Sequence, residues 1–219
     1  MRKSIFTSFF SFFLFIQFLA GQCITNLNFH QWHATGNTNV QWVIESDSVL
    51  RETSTGSTHP PAFFIKDQDL INVKITGTMR IEYSGDDDFI GFVFGYRKPG
   101  IANNGHHYEF ILFDWKGANG EINGYNAYEG FMLTRVDKSI APEQQWKYFW
   151  GHADEAGFDV LDRNTGPDKG WEFDTDYHFE LTYTSTRIII QINGEEIFDV
   201  PGCFQAGGFG FYAFSQQHL

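Results

Sequence analysis

Apolar and polar residues alternate with a period of two along much of the chain, in short runs. Leu70–Tyr83 places Ile71, Val73 and Ile75 on one face and Asn72, Lys74 and Thr76 on the other, the pattern of a half-buried strand. Tyr177–Thr184 repeats it, with Tyr177, Phe179, Leu181 and Tyr183 opposing His178, Glu180 and Thr182. In Arg187–Ile192 the residues Ile188, Ile190 and Ile192 are in phase. Asn193-Gly194 then joins this run to Glu196–Val200, a dipeptide suited to a two-residue hairpin turn whose central positions need positive φ. Further strands are predicted at Gln41–Glu45, Ser48–Glu52, Ala62–Lys66, Phe131–Val136, Trp146–Trp150 and Gly208–Phe214, and a flexible loop at Gly117–Gly124. Long helical stretches rich in Ala, Leu, Glu and Lys are lacking, so the pattern predicts one all-β sandwich of antiparallel sheets.

The most informative stretch is Gly85–Lys116. In Phe89–Tyr96, the residues Ile90, Phe92, Phe94 and Tyr96 share one parity, while Phe89 and Val93 share the other with Gly91 and Gly95. One face is bulky, and glycine thins the other so that a second layer can come close. Tyr108–Trp115 is apolar on both parities, as expected of a central strand covered on both sides. The two read as neighbouring antiparallel strands joined by a long loop through Pro99-Gly100 and Asn103-Asn104-Gly105. Pairing the start of one with the end of the other brings Asp86, Asp87 and Asp88 towards Asp114.

Composition adds a compartment. Arg2 and Lys3, the apolar run Ile5–Leu19 and the small pair Ala20-Gly21 read as a secretory leader over residues 1–22, leaving 23–219 as the folded domain. The formal charge of -12 disfavours nucleic acid and anionic lipid as partners. The apolar run is short for a membrane span, so no membrane insertion is expected once the leader is removed. In an oxidising compartment the two cysteines, Cys23 and Cys203, suggest a disulfide, the alternative being two unpaired thiols.

Five segments in order, GDDDFIGFVFGY at 85–96, FILFDWK at 110–116, Trp150-Gly151-His152, Gly170-Trp171 and GGFGFYAFSQQ at 207–217, resemble the C-terminal domain of thrombospondins. The resemblance spans about Phe29 to the end. It implies a lectin-like jelly-roll sandwich in an extracellular, calcium-binding, cell-adhesion setting, with a cell-surface protein or a glycan as partner. Two departures stand out. The Asp-rich calcium repeats that precede this domain in animal members are absent from this sequence, and Asp114 stands where the family has an apolar residue. The family's Trp-Lys strand, associated with receptor contact, makes Trp115 and Lys116 candidate ligand contacts.

Calcium takes six to eight oxygens, and Asp86, Asp87, Asp88 and Asp114 are the expected ligands; a solvated acidic turn is the alternative. Tyr125, Tyr128 and Trp171 lie in Gly/Asn-rich loops and either stack on sugar rings or roof the sandwich. Lectin-like sandwiches also host glycosidases, which need two carboxyl groups across a glycosidic bond. Glu172-x-Asp174-x-Asp176 partly matches such a signature, but its third acid is one position early and so faces the wrong side. The expectation is therefore a secreted, non-enzymatic, calcium-binding recognition or adhesion module. A carbohydrate-binding or glycan-cleaving sandwich, and a ligand-free structural cap, are the alternatives.

Overall fold

The computed structural model describes residues 13–18, 22–26, 28–37, 39–53, 60–83, 85–102 and 105–216; at 13–18, 22–26, 99–102 and 105–106 it describes the backbone alone. In chain order the strands are β1 (Phe13–Phe18), β2 (Gln22–Asn26), β3 (His33–Gly36), β4 (Trp42–Ser46), β5 (Val49–Glu52), β6 (Ala62–Leu70), β7 (Val73–Arg80), β8 (Phe89–Ala102) and β9 (Gly105–Lys116). They continue with β10 (Gly120–Ile122), β11 (Tyr125–Ala127), β12 (Gly130–Ile140), β13 (Phe158–Thr165), β14 (Asp176–Tyr183), β15 (Arg187–Ile192), β16 (Glu195–Pro201) and β17 (Gly207–Phe214).

Two antiparallel sheets face each other, one ordered β16-β15-β14-β7-β1-β2 and the other β13-β12-β9-β8-β17-β6-β3. Period-two alternation fills the space between them. Val73, Ile75, Phe179, Leu181, Ile188 and Ile190 from the first sheet meet Phe92, Phe94, Ile111, Phe113, Phe209 and Phe211 from the second. The seven-stranded sheet is apolar on its outer face as well. There Phe63, Val93, Phe110, Leu112, Tyr212 and Phe214 form a second core with Tyr148, Phe149, Trp150 and Phe158. This second core explains why Tyr108–Trp115 shows no alternation: β9 is covered on both sides.

The structure departs from the sequence pattern at definite places. Trp146–Trp150 is a π-helical turn rather than a strand; a five-residue apolar run does not distinguish the two, and Pro142 starts a short helical turn just before it. Gly117–Gly124 contains β10 and begins the β10–β11 hairpin. The long loop expected between β8 and β9 is mostly ladder, which runs on through Gly100↔His107 to Ala102↔Gly105. The run Leu70–Tyr83 breaks at Asn72 (φ 56°), where the chain passes from β6 in one sheet to β7 in the other. Asn193 and Gly194 adopt φ 52° and 82°, the turn their types favour.

Tyr96 does not share a face with Phe92 and Phe94. A bulge in β8 between Phe94 and Arg97 shifts the register, and Tyr96 packs on the outer core with Phe63 and Phe110. Of the expected leader, Phe13–Phe18 and Gln22 are described, and β1 pairs along β7 from Phe13↔Thr78 to Phe18↔Val73. The expected Cys23–Cys203 disulfide lies outside the described residues, because the Cys23 side chain is not described; Cys203 is exposed.

Candidate functional site

Two rows of cross-strand neighbours on the outer face of the seven-stranded sheet build the site. The first runs Phe63–Tyr212–Gly91–Asp114–Met132–Arg163 across β6, β17, β8, β9, β12 and β13. The second runs Phe214–Phe89–Lys116–Gly130–Thr165. Residues paired in register point the same way from a pleated sheet, so each row is a line of side chains on one face. Gly91 is the gap in the first row. A Cβ there would sit 2.0 Å from the Phe113 carbonyl oxygen and 3.0 Å from the Asp114 Cα, so glycine is needed for close approach.

Asp114 is fully buried beside that gap. Its Oδ2 lies 2.8 Å from His152 Nε2, and His152 Nδ1 lies 3.1 Å from the Trp150 carbonyl oxygen. A carbonyl can only accept, so Nδ1 carries a hydrogen. One further proton is shared between Nε2 and Asp114, which leaves the pair neutral overall whichever atom holds it. Burial pushes the Asp114 carboxyl up from its ordinary range, and His152 partly opposes this. Burial, with Asp114 next in importance, pushes the Tyr212 hydroxyl well up. His152 itself has φ 46°, unusual for a non-glycine residue. The π-helical turn and the Asp114 bond together hold it in that conformation.

Lys116 lies in the second row with 1 % of its side chain exposed. Its Nζ donates to Asp87 Oδ1 at 2.9 Å and to Asp88 Oδ1 at 2.8 Å. It also sits 4.7 Å from the Trp150 ring centroid and 5.5 Å from that of Phe89, within cation–π range. The backbone of the acidic turn is held as well. Gln216 Nε2 donates to Asp86 O (2.6 Å), Gly117 N to Asp87 O (2.9 Å) and Trp171 Nε1 to Asp88 O (3.2 Å). The separate motifs of the sequence thus converge on one corner: the three aspartates, Trp115-Lys116, Trp150–His152, Trp171 and Gln216.

Three of the four expected calcium ligands already have partners within the chain. Asp87 and Asp88 each direct an oxygen at an internal ammonium, and Asp114 is turned to His152. Among the described residues no three His, Cys, Asp or Glu side chains converge as a metal site. Trp115, Lys116 and Trp171 are buried and so present no ligand surface. Trp115 stacks on Phe131 at 4.4 Å in the inter-sheet core, and Trp171 Nε1 bonds the Trp115 carbonyl. Of the expected contact residues, Tyr125 and Tyr128 remain at the surface, 37 % and 60 % exposed.

Tyr128 lines a cleft that the sequence pattern did not reveal. Asn126, Ala127, Tyr128, Met132, Gly151, His152, Arg163 and Thr165 line this shallow cleft of about 50 Å³. Met132 and Arg163 end the first row and Thr165 ends the second, so the Asp114–His152 pair lies directly beneath the cleft. Trp150 Nε1 donates to Tyr125 O (3.0 Å), which fixes the β10–β11 wall against the π-helical turn. On the far side of that turn, Glu155 takes Lys147 (2.7 Å), Lys138 (3.3 Å) and the Tyr148 hydroxyl. The hydrogen bond from Lys147, followed by that from Tyr148, lowers the Glu155 carboxyl to about 2. The acids weighed for hydrolysis lie elsewhere. Glu172 and Asp174 are outside any strand, and Arg80 contacts Asp174 (3.6 Å) and Asp176 (3.1 Å).

The architecture defines a lectin-like β-sandwich. Its fold is shared with a Bacillus subtilis protein of unknown function with a galectin-like fold (TM-score 0.55, 14 % identity, covering 88 % of each chain). It is also shared with the carbohydrate-binding module CBM66 from Bacillus subtilis (TM-score 0.51, 11 % identity, 84 % of this chain and 88 % of that one). Residues 37–219 match the family model of the thrombospondin C-terminal region, and the chain belongs to that family. No curated protein matches the sequence. No helix among the described residues is long and apolar enough to cross a membrane.

Proposed function

We propose that the domain is a secreted, non-catalytic recognition module that binds a carbohydrate in the cleft between the β10–β11 hairpin and the β12–β13 edge. The observation that carries this reading is the cleft's chemistry. An exposed tyrosine ring, Tyr128, stands beside the amide of Asn126, the guanidinium of Arg163 and the hydroxyl of Thr165. A pyranose offers an apolar C–H face to a ring and hydroxyls to such polar groups. The rigid floor supports the reading too, since ordered walls reduce the conformational cost of binding. Fold kinship with a carbohydrate-binding module is consistent with it. Secretion rests on the leader-like start, Arg2-Lys3 followed by an apolar run.

Non-catalysis rests on the state of the acids. Both ring nitrogens of His152 are engaged, Asp114 is sealed beneath it, and Asp174 and Asp176 are held by Arg80. Glycoside cleavage needs an acid and a second carboxylate facing one bond.

A glycan array followed by calorimetry on the best glycan tests the proposal. Saturable binding is expected, weakened roughly fivefold or more by Tyr128→Ala with the melting temperature unchanged. Release of new reducing ends from the bound glycan would overturn the non-catalytic reading. Binding unaffected by both Tyr128→Ala and Arg163→Ala would overturn the location.

A further inference from the structure

A second cleft opens at the mouth of the sandwich, between the two sheets and away from the acidic corner. Its volume is about 200 Å³, and its lining includes Arg97, Glu109, Arg135, Tyr183, Phe204 and Gln205. Its position follows from the strand pattern. Phe131, Leu133 and Arg135 share the inward parity of β12; the first two are core residues, and the third puts a guanidinium where the core ends. On β8 the bulge at Gly95 (φ 62°) interrupts the alternation, and Arg97 then pairs in register with the inward Glu109. A Cβ at Gly95 would come within 2.7 Å of the Tyr183 hydroxyl, so the bulge glycine is what admits that side chain. Bulges commonly re-aim a side chain at a site.

The charges around this mouth are unevenly satisfied. Arg97 has Glu109 at 3.2 Å and also donates to the Gln205 side-chain oxygen. Asp137, exposed at the rim, has His107 at 3.1 Å. The Tyr183 hydroxyl donates to the Gln205 carbonyl, which fixes the loop between β16 and β17 over the cleft. Arg135 is different. It is half-buried, lies 5.5 Å from the Phe204 ring centroid, and makes no ion pair among the described residues. A cation–π contact at this distance leaves the guanidinium N–H edge available, and that planar edge matches a carboxylate in a bidentate pair.

We infer that this mouth is a second ligand site, in which Arg135, backed by Phe204 and flanked by Arg97 and Gln205, binds a carboxylate group. A single guanidinium balances one negative charge, and the chain's charge of -12 repels polyanions, so a monocarboxylate is favoured over a polyphosphate. Two sources share that chemistry: a uronic-acid sugar and the C-terminal carboxylate of a peptide. The site is separate from the cleft at Tyr128 and does not depend on it.

The test is NMR titration of the full ¹⁵N-labelled chain with sodium glucuronate, glucose, a short acetylated peptide with a free C-terminus, and the same peptide amidated. Glucuronate or the free-acid peptide should shift the Arg135 Nε–Hε signal and the Phe204 and Gln205 amides; glucose and the amidated peptide should not. The tighter of the two acids identifies the source. Arg135→Gln should weaken the response at Phe204 and Gln205 at least about tenfold, and Arg135→Lys should weaken it less. Melting temperatures of both variants check that they fold. Three results would each overturn the proposal: no response to either acid, an equal response in Arg135→Gln, or shifts confined to the Tyr128 cleft.

Discussion

Lys116 Nζ lies 2.8 Å from Asp88 Oδ1, with 1 % and 11 % of the two side chains exposed. A buried pair of this kind costs little while both partners are present, and much when one is removed. Lys116→Met keeps most of the apolar stem and leaves Asp88 without its counterion. It should destabilise the domain by about 3–5 kcal/mol, read as a lower urea midpoint. Because the Lys116 ammonium already engages one oxygen of Asp87 and one of Asp88, unfolding curves of the parent protein in EDTA and in millimolar calcium should superimpose. A midpoint that rises with calcium would instead argue for a metal there.

The Asp114–His152 bond ties the sheet to the segment roofing its outer face. Asp114→Ala and His152→Ala should each cost about 2–4 kcal/mol. The double variant should cost clearly less than their sum, with a coupling above about 1 kcal/mol in a double-mutant cycle. Tyr212→Phe provides the contrast. Its hydroxyl is buried without a hydrogen-bond partner among the described residues, so removing it should leave stability unchanged or raise it by up to about 1 kcal/mol.

Glu155 sets an acid limit on the same roof. Its carboxyl, ordinarily near 4.5, is held at about 2 in the folded chain. A lowered folded-state value means that the contribution is complete above about pH 4.5 and fades as pH falls towards 2. Melting temperature should therefore drop more steeply over that window in the parent than in Glu155→Gln. Parallel profiles would show that the Lys147 and Tyr148 bonds to Glu155 contribute nothing to folding.

Removal of the proposed leader, residues 1–22, takes away β1 and leaves the β7 edge, Val73–Arg80, without that neighbour. An open edge exchanges amide hydrogens faster and recruits other strands. The shortened chain should show faster hydrogen exchange in β7 and a greater tendency to associate in light scattering. Unchanged exchange in β7 would mean that β1 does not protect it.

Much of the fold was legible in short windows because a strand's period is set by its own residues. β14, β15, the Asn193-Gly194 turn and β16 are all written locally, and so is the antiparallel pairing of β8 with β9. The expected meeting of the acidic turn with the end of β9 was close in outline. The register decided the details: Phe89 faces Lys116, and Asp114 faces Gly91. The Trp146–Trp150 run was misread because a short apolar segment satisfies either period. The cleft was not visible at all, since its walls come from β11, β12, β13 and the residues after the π-helical turn. Exposed Tyr128 was the one local hint.

By itself the sequence determined the class of fold, the two apolar faces of β9 and the family, because side-chain alternation and ordered motifs are properties of neighbouring residues. Only the tertiary structure decided which side chain meets the acidic turn. Three consecutive aspartates attract any cation, and which side chain reaches them depends on the register. Lys116 takes that place through the β8–β9 register, a relation between residues nearly thirty positions apart that no local pattern encodes.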